Sequence, residues 1–457
     1  MTIHSLRGFR DILPPDSGVF YAIESAAREV FQLYGYREIR IPTFEARELF
    51  VKSTGDTTDI VQKEMYAFTD QGGREIAARP EGTPGVVRAY IENNLAQSGG
   101  NGKFFYIGSM FRAERPQAGR YREFEHIGAE WIGALSPFAD AESISMLTKM
   151  LKKTGVSGCL AEINSLGCAN CRAAYRAGLL SCLKTNSAAL CEACRARLEK
   201  NPLRTLDCKL DGPRLALEAP AIKLCPACQI HFSRVQELLS ASGVPFKVNK
   251  NLVRGLDYYT RTIFEVKAGA LGNSQDAVAG GGRYDKLVKS LGGPDAPAVG
   301  WAMGVDRVAL LLKGLIPESG AAQVFVVCAG GGSPAVFPME KSGQDPYWEG
   351  RLGRNLQDTP PDGNAPDASF RAFALLGELR AAGISADFSD FNLSLKSQLR
   401  SADKSGASLA LILGEEEVKN SVYALKFLKE KKDQQTVPAA EILPVIKAAL
   451  SAGLLGS

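Results

Sequence analysis

Four arginines and four glutamates crowd one short stretch of the chain, Ser109 to Glu130, which reads SMFRAERPQAGRYREFEHIGAE. Residues two apart on a strand share a face, so Arg112 and Glu114 would point the same way. The Arg could grip a phosphate through two parallel hydrogen bonds while the Glu takes an amino group. That suits a nucleotide, although a solvated surface hairpin also mixes charge, with little energetic consequence. A second cation, Arg254, sits in LVRGLDYYTRTIFE from Leu252 to Glu265 beside Tyr258 and Tyr259. An arginine keeps its proton, and fixed cations stabilise the charge that spreads over phosphoryl oxygens when a carboxylate attacks phosphorus. The plainer use of Arg254 is a salt bridge with Asp257 at a turn. A third, Arg307, lies in GWAMGVDRVALLL from Gly300 to Leu312, and ARPEGT from Ala78 to Thr83 sets a carboxylate and a hydroxyl on a turn.

Together these segments carry a resemblance. SMFRAERPQAGRYREFEHIGAE, and within it the specific run PQAGRYREF, resembles the second signature motif of class II aminoacyl-tRNA synthetases in its histidine-specific form. Gly300 to Leu312 resembles the third motif, and LVRGLDYYTRTIFE the histidine-specific signature. The resemblance implies catalytic roles for Arg254 and Arg112 at the α-phosphate of ATP, Arg112 also meeting the reacting carboxylate. It implies that Glu114 meets the adenine edge, that Phe124 stacks on the adenine, and that Arg307 binds the γ-phosphate. Arg115 and Gln117 would meet the tRNA acceptor end. Glu81, Gly82 and Thr83 would hold the α-amino group, and Tyr258 and Tyr259 would line the amino-acid pocket.

Selection of histidine falls, by resemblance, to Glu130 and Tyr259, one offering an acceptor and the other a hydroxyl to the two imidazole nitrogens. A substrate without those nitrogens would leave both groups unpaired, which supplies discrimination on the order of 10⁴ without an editing domain. One departure stands out: the family usually has His-Gln after the Phe of the second motif, whereas this chain has Glu125-His126. His126 would take over the Gln's contact with the amino acid and make the site sensitive to pH near 6.5. Lys286 likewise stands where the family usually has a Gly.

Ten cysteines are present. Cys168 and Cys171, then Cys191 and Cys194, form two CxxC pairs whose spacing fits one four-thiolate structural zinc site, and Cys225 and Cys228 make a third pair. Unliganded buried thiols would show the same pattern. A redox role is disfavoured, because neither CxxC follows a strand of a βαβ unit.

Residues so placed need a scaffold. The chain has 457 residues, 45% hydrophobic and 23% charged, enough for roughly three domains. Apolar residues recur at helical spacing from Ser17 to Tyr34. Tyr36 to Pro42, Glu64 to Thr69, Gly102 to Arg112 and Phe124 to Ile132 read as strands. The expected fold class is α+β: an antiparallel-sheet catalytic domain over 1–160 and 249–318, and an inserted Cys-rich helical domain over 161–248 with helices around Ala173 to Leu183 and Phe232 to Ser240. Past the insertion, the glycines Gly280 to Gly282 would precede helices from Tyr284 to Leu291 and Val305 to Leu315. An α/β domain over 320–457 would alternate strands and helices from Val324 to Leu413, interrupted by a Gly/Pro-rich flexible loop at about 330–367. The last domain resembles the family's anticodon-binding domain, and on its helix from Leu395 the cations Lys396, Arg400 and Lys404 fall at i, i+4 and i+8. That is a possible phosphate track, though such stripes are usually solvated faces.

The net charge of +4 is nearly silent about partners. Apolar runs such as Val308 to Leu312 stop far short of the ~20 residues of a membrane span, and Met1 to Pro15 lacks a signal peptide's apolar core. The expectation is a cytosolic protein. The resemblance implies ATP with Mg2+, histidine and tRNA(His) as partners, and a homodimer whose interface includes the segment around Pro42. The rival reading is a non-catalytic paralogue that senses histidine for a biosynthetic enzyme. Such proteins usually lose the terminal domain and the catalytic arginines, and both features are kept here.

Overall fold

The computed structural model describes residues 2–454 except 57, 98–101, 186, 199–200, 207, 209, 270–275, 316–321, 330–367, 392 and 431. The expected loop at 330–367 lies outside the described residues. The chain divides into two compact units, Met1–Ser319 and Gly320–Ser457.

The first unit opens with helix α1 (Asp16–Leu33), which buries Val19, Ile23, Ala27, Val30 and Phe31 along one face, as its 3.6-residue spacing demands. Each fully buried side chain of this size contributes about 1.5–3 kcal/mol of transfer free energy. A short strand β1 (Arg37–Glu38) follows. A three-stranded sheet β2 (Phe44–Ala46), β4 (Glu75–Ala78), β3 (Ala67–Thr69) flanks helix α2 (Arg47–Thr54), and helix α3 (Thr83–Glu92) leaves β4. The expected strands were too long here: Ile60–Glu64 is a π-helical turn, and only two residues of Tyr36 to Pro42 join a ladder.

The main sheet also holds β5 (Gly102–Phe111), β6 (Glu123–Ile132), β7 (Cys159–Ser165), β8 (Phe246–Val248), β9 (Thr260–Ala268), β10 (Ala277–Arg283) and β11 (Ala298–Gly304), in the order β1-β5-β6-β11-β10-β9-β7-β8. Every neighbouring pair is antiparallel except the two outermost, β1/β5 and β7/β8. Helix α4 (Pro137–Lys153) starts where Pro137 pre-sets the first turn and the Ser136 hydroxyl accepts from the Phe138 N–H at 3.3 Å. It covers one sheet face with α1 and α10 (Val305–Leu312), around Ile144, Leu147, Phe264 and Trp301.

Gly280 to Gly282 lie inside β10, and the helix expected after them from Tyr284 to Leu291 is only α9 (Leu287–Ser290). The reason is space. A Cβ on Gly281 would sit 2.2 Å from the Gly300 carbonyl oxygen of β11, so glycine here permits close strand approach.

The insertion is narrower than its composition suggests. Strands β7 and β8 belong to the main sheet, and helix α8 (Pro226–Ala241) packs Phe232, Val235 and Leu239 into the main core. Helices α5 (Ala169–Thr185), α6 (Glu192–Arg197) and α7 (Gly212–Glu218) stand apart from it around Leu179, Leu183, Leu190, Cys194 and Leu215.

The second unit is a sheet in the order β13-β12-β14-β15-β16, with β12 (Val324–Cys328), β13 (Ala386–Phe388), β14 (Leu409–Leu413), β15 (Val422–Phe427) and β16 (Gln435–Pro438). It carries helices α11 (Ala368–Ala381), α12 (Leu395–Lys404), α13 (Glu415–Lys419) and α14 (Ile442–Leu454). Strand β12 pairs in parallel with β13 and β14, as the alternation of helix and strand requires. The buried Gln398 of α12 accepts from the Cys328 N–H at 3.0 Å and donates to the carbonyls of Cys328 and Leu393, at 2.9 and 2.8 Å. That leaves Lys396, Arg400 and Lys404 on the exposed face.

Candidate active site

One cleft in the first unit is lined by residues from six separate parts of the chain: Glu81 and Thr83, Arg112 to His126, Arg254 to Tyr259, Glu265, Ala277 to Tyr284, and Gly300 to Arg307. Its back wall is the hairpin β5/β6 continued by β11 and β10. The register sets His126 opposite Gly108 and Gly304, and Glu130 opposite Phe104 and Gly300.

Three arginines converge there from unrelated elements. Arg112, one residue beyond β5, donates through Nε to the Pro80 carbonyl at 2.8 Å, and its guanidinium lies 5.3 Å from the Phe124 ring centre. Arg254 pairs with Glu265 of β9 at 2.7 Å. Gly280 makes room for it, since a Cβ there would meet the guanidinium at 2.4 Å. Arg307, on the first turn of α10, donates to the Ala277 carbonyl at 2.5 Å. Burial, with Arg120 nearby, lowers its proton affinity from the ordinary arginine value. Arg120 also lines the cleft and pairs with Glu114 at 3.3 Å, while Arg112 stands 3.8 Å from the same carboxylate. Clustered cations lose by mutual repulsion and gain when polyanionic oxygens enter.

Beside these arginines lies a cluster of buried oxygens and rings. Glu81 accepts from the Thr54 hydroxyl and the Tyr258 hydroxyl, each at 2.8 Å, and burial raises its pKa above the ordinary value. Glu130 is completely buried and accepts from the Thr83 hydroxyl at 2.6 Å and from the Tyr284 hydroxyl. Burial pushes its pKa up to about 8. Tyr258 stands between Tyr259, 4.7 Å away, and Tyr284, 5.8 Å away, ring centre to ring centre. Burial lifts the Tyr259 phenol to about 12, so it remains a hydrogen-bond donor at neutral pH.

Most of the residues singled out in the sequence therefore meet in one place. Glu130 and Gly82 do so indirectly: Glu130 lies fully buried behind the lining residues Thr83 and Tyr284, and Gly82 lies where a Cβ would come within 2.3 Å of the Tyr106 ring. Arg115 and Gln117 stand exposed on the loop between β5 and β6. His126 corrects an expectation. Burial first, then the positive charges of Arg112 and Arg307, drive its pKa down to about 3, so it is neutral at pH 6.5 and cannot be the pH-sensitive group. Its Nδ1 has no hydrogen-bond partner among the described residues.

The cysteines correct another. Cys168 and Cys171 do not join Cys191 and Cys194. The first two cluster with Cys225 and Cys228, and the other two with Cys208 and Asp211. Helix α5 separates the two CxxC pairs that lie adjacent in sequence.

Three contributors escaped the sequence reading. Tyr284 follows β10 and reaches Glu130. Arg10 donates to Asp306 at 2.7 Å and lies 3.9 Å from the Tyr121 ring centre, so the N-terminal segment braces the cleft loop. Asp306 in turn accepts from the Glu125 N–H at 2.9 Å. Arg10 alone in the sequence carries no periodic or motif signal. Tyr284 becomes legible only once β10 is known to be a strand.

Comparison with known proteins fits this geometry. Residues 8–308 match the family model described as Histidyl-tRNA synthetase, and residues 360–449 match the one described as Anticodon binding domain. The histidine--tRNA ligase of Elusimicrobium minutum is 49% identical over 94% of this chain and 95% of its own length. That of Trichlorobacter lovleyi is 43% identical over 99% of each. Among solved structures, the apo histidyl-tRNA synthetase of S. aureus superposes with a TM-score of 0.75 at 29% identity, covering 98% of this chain and 100% of that one. The chain belongs to the histidyl-tRNA synthetase family.

Proposed function

We propose that the chain activates histidine with ATP to give histidyl-adenylate and pyrophosphate, then transfers the histidyl group to the 3′ end of tRNA(His). The observation that carries this reading is a single cleft lined by arginines from three elements together with Glu81, Thr83, Tyr258 and Tyr259. An anion trap and an amino-acid pocket thus share one cleft.

In the first step a histidine carboxylate oxygen bonds to the α-phosphorus as the bond to the β-phosphate oxygen breaks, and pyrophosphate leaves with that electron pair. Arg112 and Arg254 hold the α-phosphate oxygens and carboxylate, which would otherwise repel. Arg307 holds the terminal phosphate, and Phe124 stacks on the adenine as Glu114 meets its edge. Glu81, with Gly82 shaping its loop and Thr83 beside it, receives the α-amino group. Glu130 and Tyr259 meet the imidazole nitrogens, and neutral His126 supplies a hydrogen bond to the amino acid. Glu265, on the cleft wall, would help hold the magnesium that accompanies ATP, which would offset the charge of the phosphates. In the second step the terminal ribose hydroxyl of the tRNA attacks the histidyl carbonyl carbon and AMP leaves, with Arg115 and Gln117 meeting the acceptor end.

The C-terminal unit would read the anticodon stem through Lys396, Arg400 and Lys404. Dimerisation belongs to the same reading. Just after Pro42, Phe44 and Phe68 pack edge to face at 5.7 Å yet are 53% and 48% exposed, an apolar surface that a second copy would cover. A structural zinc in the cysteine insertion completes the set, with its ligands regrouped as described. No described helix is long and apolar enough to cross a membrane.

Charging of a tRNA(His) transcript with labelled histidine tests the reading. Acid-stable product with this transcript and none with a tRNA for another amino acid is expected. A protein that binds histidine yet charges nothing would point to the regulatory paralogue instead.

A further inference from the structure

We propose that the insertion holds two separate zinc ions, one on Cys168, Cys171, Cys225 and Cys228 and one on Cys191, Cys194, Cys208 and Asp211, and that together they brace the loop carrying Arg254, Tyr258 and Tyr259.

The donor geometry supports this. In each cluster the four ligand atoms lie within 4.8 Å of one another. The sulfurs of Cys168 and Cys171 are 3.7 Å apart and those of Cys191 and Cys208 3.8 Å. Four ligands at a Zn–S distance of about 2.3 Å put tetrahedral neighbours about 3.8 Å apart, whereas a disulfide would bring the sulfurs to about 2.05 Å. None of the ten cysteines forms a disulfide.

The local backbone repeats one device three times. Cys168, Cys191 and Cys225 each stand immediately before a helix, with Cys171, Cys194 and Cys228 in its first turn. Cys208 and Asp211 repeat the spacing ahead of α7, a CxxD in place of CxxC. Gly167, at φ +65, lets the chain turn into the first pair, where a Cβ would come 2.4 Å from the Cys171 Cβ. Backbone N–H groups support the ligands. That of Cys225 donates to the Cys171 sulfur at 3.2 Å, and that of Cys191 to one Asp211 oxygen at 2.9 Å, which leaves the other oxygen for an ion.

Each cluster reaches the active-site loop by hydrogen bonds. From the first, Arg172, the residue after Cys171, donates to the Tyr259 carbonyl at 2.8 Å. The Arg261 N–H donates to the Gly167 carbonyl at 2.9 Å. Between the two halves of the second, Asn201 donates to Asp257 at 2.7 Å and Arg204 to the Gly255 carbonyl. The insertion's own core is small, five buried residues among those described, too few to fix these donors without further links. An ion that joins α5 to α8, and another that closes the segment holding Asn201 and Arg204, would supply them. The effect on histidine rests on the function proposed above, but the presence of metal does not.

The test is elemental analysis of full-length protein purified under reducing, zinc-replete conditions, alongside Cys228→Ser and Cys208→Ser. The expectation is two zinc ions per chain, one in each variant, and native-state thiol reactivity confined to Cys159, Cys182 and Cys328. In Cys228→Ser the histidine KM should rise roughly tenfold with the ATP KM nearly unchanged. Iron in place of zinc, a single zinc that Cys208→Ser leaves in place, or a metal-free wild type with its cluster thiols freely reactive would overturn the assignment. If either variant does not fold, the zinc content and thiol reactivity of the wild type alone decide. A KM unchanged in a variant that has lost its zinc would overturn the bracing role while leaving the ions.

Discussion

The Glu130 side chain occupies the space that a side chain on Gly300 would need: a Cβ built there would lie 1.7 Å from Glu130 Oε2. The two residues face each other across β6 and β11, and Gly300 lines the cleft. A glycine at that register therefore lets a carboxylate lie flat under the amino-acid pocket. Gly300→Ala should cut histidine-dependent activation at least a hundredfold, as overpacking displaces Glu130, and should cost roughly 1–3 kcal/mol of stability. Pyrophosphate exchange and thermal melting would measure the two effects.

Glu130 also makes stability depend on pH. Its pKa is about 8 in the folded protein against an ordinary value of 4.5. The native state thus holds a proton that the unfolded chain releases between those values. Stability from this group is fully present below about pH 4.5 and is lost as pH rises through 8. Glu125, raised to about 7 by burial and by Glu24, acts in the same direction. Glu130→Gln should flatten the decline in melting temperature between pH 5 and pH 8. An unchanged slope would remove Glu130 as its source.

His126 should contribute no titration near neutrality. With its pKa near 3 it is already neutral wherever activity is measurable. His126→Gln, which restores the residue usual in the family, should leave the shape of the kcat/KM profile between pH 5.5 and 7.5 unchanged while shifting the histidine KM. Loss of an ionisation near pH 6.5 in the variant would show that the imidazole titrates.

Arg283 and Asp140 are both fully buried and paired at 2.8 Å, with the guanidinium also donating to the carbonyls of Ala134 and Ser136. Removing the guanidinium leaves the buried Asp140 carboxylate with His231, 3.3 Å away, in place of its main cation. Arg283→Met should destabilise the first unit by about 3–5 kcal/mol in denaturant unfolding, far more than loss of an exposed pair.

On the C-terminal unit, replacing Lys396, Arg400 and Lys404 with Ala should weaken tRNA binding and lower its logarithmic salt dependence by about 2, as expected for three lost phosphate contacts. Amino-acid activation should be untouched. An unchanged salt slope would make the stripe an ordinary solvated face.

Much of this was legible in the sequence because the chemistry is concentrated in short segments. Arg112, Glu114 and Phe124 lie within thirteen residues, and Arg254, Tyr258 and Tyr259 within six. The α1 helix and the β5/β6 hairpin were equally plain, because their apolar periodicity agrees with what they bury. What failed depended on distant partners. Nothing local shows that Gly280 to Gly282 lie within a strand, because the Gly300 carbonyl and Arg254 that press against them come from elsewhere in the chain. The nearest CxxC pairs seemed to belong together, but helix α5 carries the chain away between them. The fourth ligand pair was hidden because its second member is Asp211. The titration expected of His126 overlooked burial and two arginines from other elements.

The most direct measurement is histidine-dependent exchange of pyrophosphate into ATP, run beside the other amino acids and with Arg254→Ala. Exchange with histidine alone, abolished in Arg254→Ala while ATP still binds, is the predicted result. Exchange with another amino acid, no exchange despite histidine binding, or near-normal exchange in Arg254→Ala would contradict it.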